Sequence, residues 1–495
     1  MQFDDLSEEG EGTNVIDETM PELPPLTYRG EEEEQVSSIQ ETLPQLVRGE
    51  STIPSSYTSN AITSVKDQNP YGTCWAFSYI AASEASIISE GLADKNLDLS
   101  EWQLAYFTSH AVVDPLGGTS GDGYALSDAD YLNAGGNQEI TTRRVATWQG
   151  LVAEEDAPYE TVLADSTKIL DDSLAYTKNK FHLENAIKIS MKDQDFVKQN
   201  IMKYGACGAS YYDDQQFYNV DEPWYTTARV CTYTPSGTVT NHAITIVGWD
   251  DNYSRNNFGN YKPLSNGAWL CKNSWSENWS KQGYFWISYE DAPLSNGNAY
   301  FYDYGTADHY DYNYQYDGGV ADGFMAYDSS FDMYGANIYT ATSDQSLKAI
   351  GYYTRDIDYN STIYIYKNCS NNNPSSGELV LTQQDSQLYA GFHTVELDEE
   401  IYLDKDTTFS VVVRHNKCDK GRYLIMDCTQ DYGWGASTSY ATSGQSFMSH
   451  NGANWTDIGT EYGCNCRIKA YTNKVISITG ITLDKTSASL NKGET

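Results

Sequence analysis

The chain has 495 residues, with 31 basic and 69 acidic side chains and a formal charge of -38. That length exceeds one ordinary hydrophobic core and implies two or three domains. The acidic balance argues against a nucleic-acid or anionic-membrane partner, and no apolar run approaches the ~20 residues of a transmembrane span.

Residues 1–52 are acidic and poor in periodic apolar positions. Met1 is followed by Gln2, Phe3, Asp4 and Asp5, without the basic flank and apolar core of a signal peptide. Pro21, Pro24 and Pro25 interrupt any long helix, and a more helix-compatible piece runs from Glu31 to about Leu43. Arg29 and Arg48 each precede a glycine in a turn-like context. The segment reads as a pro-region, a docking tail or disorder.

From Ile53 the texture changes. Trp75 to Ile88 reads as a buried helix, and Ser100 as the cap of the next one. Gly117, Gly118, Gly121 and Gly123 mark a polar loop. Asp128 to Ala134 and Arg143 to Gly150 read as short helices, as does Lys192 to Lys203. Strands follow at Ala243–Val247, Ala268–Lys272 and Tyr284–Ser288. A helical half followed by a strand-rich half predicts two lobes with a groove between them.

After about Tyr300 the chain is strongly β-like. Strands are predicted at Ala336–Tyr339, Lys348–Thr354, Ser361–Tyr366, Thr394–Leu397 and Phe409–Arg414, a pattern that suits a β-sandwich. The alternating Tyr310, Tyr312, Tyr314 and Tyr316 suit packing better than a glycan-facing surface. Ile481–Thr486 looks like the opening strand of another module that stops at Thr495.

Nine cysteines are too few for a dense disulfide scaffold. The count is odd, and Cys74 is the natural unpaired one. Cys207 with Cys231 and Cys418 with Cys428 are candidate bridges, which spacing alone does not settle. Cys464 and Cys466 lack a second ligand pair, and the seven histidines form no zinc-hydrolase pattern. The abundance of tyrosine (41 residues) and small polar residues suits an exported protein.

The chemistry concentrates in three segments. Cys74 falls where a turn hands over to a helix, and unpaired N–H groups at a helix start favour a thiolate. His242 can supply the partner imidazolium, donating a proton to a leaving amine and later activating water. The Asn273 carbonyl oxygen can orient that ring, with Trp275 covering the contact. The Gln68 amide, with the Cys74 N–H, can stabilise a tetrahedral oxyanion. A lone cysteine or an Asn-His pair is ordinarily structural; the ordered set of Gln68, Cys74, His242 and Asn273 reverses that expectation.

The set resembles the papain-like cysteine peptidases. Gln68…Cys74-Trp75-Ala76-Phe77-Ser78 resembles their nucleophile segment, Asn241-His242-Ala243 their histidine strand, and Lys272-Asn273-Ser274-Trp275 their asparagine segment. Residues 300–474, through Ala349-Ile350-Gly351-Tyr352-Tyr353-Thr354, resemble the lectin-like module of bacterial surface-layer peptidases. The resemblance implies an α+β chain: a two-lobed papain-like peptidase domain at 53–299, then a β-sandwich lectin-like domain at 300–474. Residues 1–52 become a pro-region, and 475–495 a linker with the truncated start of a bacterial immunoglobulin-like repeat.

The implied function is a secreted or surface-associated cysteine endopeptidase, extracellular or cell-wall associated. Its partners would be protein or peptide substrates, with a cell-surface protein or glycan for the second module. A catalytically silent adhesin is the alternative. Catalysis needs no cofactor; the family's second module allows a structural calcium, although Asp303, Asp308, Asp311 and Asp317 read better as solvated residues. Two departures stand out. No cysteine lies between Cys74 and Cys207 to staple the helical lobe, so helix packing and the Gly117–Gly123 loop must stabilise it. Ser276 also replaces the glycine usual after Asn-Ser-Trp.

Overall fold

The computed structural model describes residues 53–126, 130–220, 225–229, 240–327, 331–416, 422–432 and 435–475. The pro-region, the immunoglobulin-like start, Cys231 and Cys418 lie outside the described residues.

The organising element is the Cys74–Ser89 helix. Apolar side chains occupy every face, so it is buried nearly throughout. Its hydroxyls tie it to both neighbouring strands: Ser78 Oγ donates to the Ile244 carbonyl at 2.7 Å, and Ser86 Oγ to the Tyr302 carbonyl at 2.6 Å. Gly91, at φ +77°, lies just beyond its end. Ser100 caps the following Glu101–Ser109 helix as predicted, accepting the Gln103 N–H at 3.0 Å.

Other expectations shift. The Gln138–Val145 helix starts five residues before the predicted Arg143–Gly150 span and overlaps it only at 143–145, with Asn137 accepting the Ile140 N–H at its start. Residues 130–134, the described part of the predicted Asp128–Ala134 helix, carry no helix. The later helix is Gln194–Tyr204, near its predicted span.

The strand-rich lobe is antiparallel through Cys207–Tyr211, His242–Asp250, Ala268–Lys272 and Tyr284–Ser288. On the other side of Cys207–Tyr211 lies Asn298–Thr306, which pairs along its length with Phe181–Ser190. That strand pairs in turn with Ala390–His393, the start of the Ala390–Leu403 strand of the β-rich half. One 13-stranded sheet therefore runs through both halves of the chain.

The β-rich half is a sandwich. Gln345–Thr354, Ala390–Leu403 and Ile468–Lys474 form one layer, and a six-stranded sheet built around Met333–Thr340, Tyr359–Lys367 and Thr408–His415 forms the other. Leu347, Ile350, Ile363, Ile365, Val411 and Val413 pack between them. The tyrosine run packs as expected: Tyr310 stacks on Tyr471, and the Tyr314 and Tyr316 hydroxyls donate to Gln345 and to the Ile338 carbonyl. The candidate Cys418–Cys428 bridge gives way to Cys428–Cys464, because the fold brings Cys464 to 4.6 Å from Cys428 between Cα atoms. Cys74, Cys207, Cys271, Cys369 and Cys466 are free thiols.

The second half braces the lobe that lacks a disulfide. Gly123–Leu126 pairs with Gly435–Thr438. Asp122 accepts the Gly318 and Tyr440 N–H groups at 2.8 and 2.6 Å. Gly118 lies so close to the Gln315 carbonyl that a Cβ would sit 2.0 Å from its oxygen. Beneath this contact, buried Arg467 meets Asp322 at 2.6 Å and Asp427 at 3.3 Å, while Arg143 donates to Asp322 at 2.8 Å. An aromatic column, His182–Trp148–Tyr471–Tyr310, crosses the same boundary.

Candidate active site

Cys74 is the first residue of its helix, so its own N–H has no intrahelical acceptor. His242 opens the His242–Asp250 strand, and Asn273 immediately follows Ala268–Lys272. These adjacent strands bring the imidazole and the amide together: His242 Nε2 lies 2.8 Å from Asn273 Oδ1. The other ring nitrogen is left for Cys74, with which the imidazole shares a hydrogen bond.

The pair is electrostatically poised. Burial pushes the Cys74 thiol up, but the hydrogen bond and charge of His242, with backbone donors at Ala243 and Trp75, bring it below its ordinary range. Burial opposes the imidazolium too, yet Cys74, then Asn273 and Asp213, hold His242 above its usual value. A thiolate facing an imidazolium is the arrangement this favours.

Trp275 stacks over His242 with ring centroids 4.5 Å apart, and Trp279 meets Trp275 edge-on at 5.1 Å. This cover keeps bulk water from the His242–Asn273 contact. Opposite, Gly136 allows the chain to pass over the Trp75 indole, where a Cβ would lie 2.6 Å from the ring. Ser276 has φ +71°, a left-handed conformation that accounts for the glycine usual at this position in the resembled family.

Gln68 is brought to the same place. Its backbone N–H donates to the Ser274 carbonyl at 2.9 Å, and its Oε1 accepts the Ser274 hydroxyl at 2.6 Å. That contact assigns the amide orientation. Nε2 then donates one hydrogen to the Tyr71 carbonyl at 2.8 Å, leaving the second for another acceptor. All four sequence-predicted site residues thus belong to one constellation.

Sequence reasoning missed its supports. Ser274, which fixes Gln68, stands in the sequence only as one letter of the Lys-Asn-Ser-Trp motif. Behind Asn273, buried Lys272 donates to Thr63 at 3.1 Å, and Thr63 donates to buried Glu84 at 2.5 Å. Lys66 reaches Glu84 at 3.4 Å and Glu101 at 2.7 Å. Glu84 within an otherwise apolar helix, and Lys272 ending an apolar strand, were the available signals.

Among the described residues, no group of three His, Cys, Asp or Glu side chains comes together to hold a metal. Asp317 is engaged by Lys469 at 2.7 Å, and Asp303 by Asn185 at 2.9 Å. Nor is any helix among them long and apolar enough to cross a membrane.

Residues 53–302 match the model of the papain family cysteine proteases, and residues 313–472 that of the lectin like domain. The clostridial cysteine protease Cwp84 after propeptide cleavage is similar at 26% identity, covering 85% of this chain and 100% of that one, with a TM-score of 0.70. A structure of the cysteine protease and lectin-like domains of Cwp84, a surface layer associated protein of Clostridium difficile, aligns at 26% identity over 85% of this chain and 89% of that one, with a TM-score of 0.68. Cysteine proteinase 15A of Pisum sativum is 28% identical over 241 residues, 46% of this chain and 54% of its own length. The chain thus spans about half the length of that curated relative. With the family match covering half of its length, and a thiol, imidazole and amide aligned within that match, the chain belongs to the papain family of cysteine proteases.

Proposed function

We propose that this protein is a secreted or surface-associated cysteine endopeptidase that cleaves protein or peptide substrates through a Cys74 acyl-enzyme. The observation that carries this reading is the buried Cys74–His242–Asn273 alignment, in which the thiol is lowered and the imidazole raised.

The Cys74 thiolate attacks the scissile carbonyl carbon. The second Gln68 amide hydrogen and the Cys74 backbone N–H stabilise the oxygen as it becomes negative. His242 passes its proton to the leaving amine, and the C–N bond breaks. Water enters, His242 takes a proton from it, and the resulting attack releases the acid and regenerates the thiol. Asn273 holds the imidazole in its reactive direction throughout.

Residues 1–52 are the pro-region in this reading, 53–299 the catalytic domain and 300–474 the lectin-like domain. Similarity to a surface layer associated protein across 85% of the chain supports a location outside the cell or on its wall. There the lectin-like half would hold the enzyme near a cell-surface protein or glycan and raise its effective concentration at the substrate. A silent adhesin would not need an aligned nucleophile, base and amide.

A peptidyl epoxide that alkylates thiols tests the central claim. Labelling confined to Cys74, and turnover of a denatured protein substrate lost in Cys74→Ala, are the expected results. Turnover that survives in Cys74→Ala overturns the reading.

A further inference from the structure

The mechanism above uses no carboxylate, yet one belongs to the tyrosine cluster packed against His242. Asp213 lies just beyond the Cys207–Tyr211 strand, whose last residue pairs with His242. Asn241 clamps its backbone. The Asn241 Oδ1 accepts the Asp213 N–H at 2.6 Å, and Nδ2 donates to the Asp213 carbonyl at 2.9 Å. The residue preceding the imidazole thereby fixes the position of the acid.

The side chain is aimed as well. The hydroxyls of Tyr211 and Tyr218 donate to Asp213 Oδ1 at 3.2 and 2.9 Å, and the two hydroxyls contact each other. Burial holds both phenols well above their ordinary range, so they remain donors. The Tyr211 ring lies 5.8 Å from the imidazole between centroids, placing this cluster against the catalytic base. Arg229, on the same lobe, lies over the Tyr212 and Phe217 rings. Among the described residues, no lysine or arginine forms an ion pair with Asp213.

We propose that Asp213 is a positioning residue of this peptidase: Asn241, Tyr211 and Tyr218 hold its carboxylate where it stabilises the His242 imidazolium of the Cys74–His242 pair. The proposal rests on the reading of Cys74 as the nucleophile. The groups around His242 are the Cys74 thiol from the helix, the Asn273 amide and Trp275 ring from the loop after Ala268–Lys272, and the Tyr211 ring from the neighbouring strand, with Asp213 on its hydroxyl. Of these, the Cys74 thiolate and Asp213 carry negative charge. The thiolate is consumed when it attacks, and Asp213 is not. Its carboxylate therefore continues to stabilise the imidazolium through acylation, when the proton must still be available for the leaving amine.

The test uses the full chain as wild type, Asp213→Asn, Asp213→Glu and Asp214→Asn. Asp214 is the neighbouring control: its carboxylate binds Gln216 instead. Alkylation of Cys74 is followed across pH with anionic iodoacetate and neutral iodoacetamide. The iodoacetate rate falls as His242 loses its proton. In Asp213→Asn that falling limb should move to lower pH by about half a unit, and on the acidic plateau below it, where His242 is protonated in both proteins, the iodoacetate-to-iodoacetamide rate ratio should rise about twofold to threefold, as expected for one partly screened charge. Asp213→Glu should return the limb toward wild type, and Asp214→Asn should leave it in place. An unmoved limb and ratio in Asp213→Asn, or an equal shift in Asp214→Asn, overturns the Asp213 role while leaving the peptidase reading intact. Wild-type Cys74 that is not alkylated at any pH sinks both.

Discussion

Asn273 Oδ1 accepts from two directions: from the His242 ring at 2.8 Å and from the Ser274 N–H at 2.8 Å. The second bond ties the amide to its own backbone, so the oxygen is fixed before the imidazole meets it. Asn273→Ala should leave the thiol in place but free the ring to turn. A misdirected base costs about 100-fold in turnover. The expected result is a fall in kcat with KM little changed, and an unaltered kcat would remove Asn273 from the mechanism.

Gln68 depends on Ser274 in a comparable way. Gln68→Ala removes an oxyanion donor and should lower kcat about 100-fold or more. Ser274→Ala keeps the donor but lets the amide rotate, so a smaller loss is expected. Steady-state kinetics on one peptide substrate compare the two. Equal losses would mean that Ser274 acts on more than Gln68.

Three histidines should make the fold acid-labile. Burial pushes His182, His393 and His415 down to about 3, with a weaker opposing backbone contact at His393 and added repulsion from Arg422 at His415. The folded state therefore binds fewer protons than the unfolded chain between about pH 6.5 and pH 3. Their stabilising effect is full above that window and is lost as pH falls through it, by at most about 1.4 kcal/mol per pH unit for each group. The urea midpoint should drop between pH 7 and pH 5. His182 stacks on Trp148 at 4.0 Å with its Nδ1 unpartnered, so His182→Phe should reduce that slope. A slope identical to wild type would exclude His182 from the effect.

The two halves should unfold together. They share a sheet at Ala390–His393 and a buried ionic contact between Arg143 and Asp322, whose carboxylate Arg467 also holds. Arg467→Ala strands Asp322 and Asp427 without this partner, a change that costs about 3–5 kcal/mol. Loss of Cys74 alkylation and loss of the sandwich's circular dichroism signal should coincide in urea, both at lower concentration in the variant. A sandwich that melts first and leaves Cys74 reactive would show that the brace is dispensable.

A chain ending at Thr306 should associate with itself. It would expose the edge of Phe181–Ser190 that Ala390–His393 now covers. Light scattering of that fragment against the full chain checks this, and a monodisperse monomer would contradict it.

The sequence by itself determined the chemistry and most elements. Cys74 and His242 belong to scarce residue types, nine cysteines and seven histidines in all, and stand in a fixed order with Asn273, and the largely apolar stretch from Trp75 to Ile88 admits little but a buried helix. Ser100 and the main strands were legible for the same local reason: caps and periodicity act over a few residues. The tertiary structure alone decided the long-range relationships. Cys428 and Cys464 are paired across a sequence separation of 36 residues, and no local pattern prefers that partner to Cys418. Asp213 stands 29 positions from His242 and looks like any loop acid until strand pairing sets Tyr211 opposite the imidazole. The brace on the helical lobe was equally hidden, because strand partners and buried charge pairs are chosen by where the chain returns, and that is set by the packing of the whole molecule.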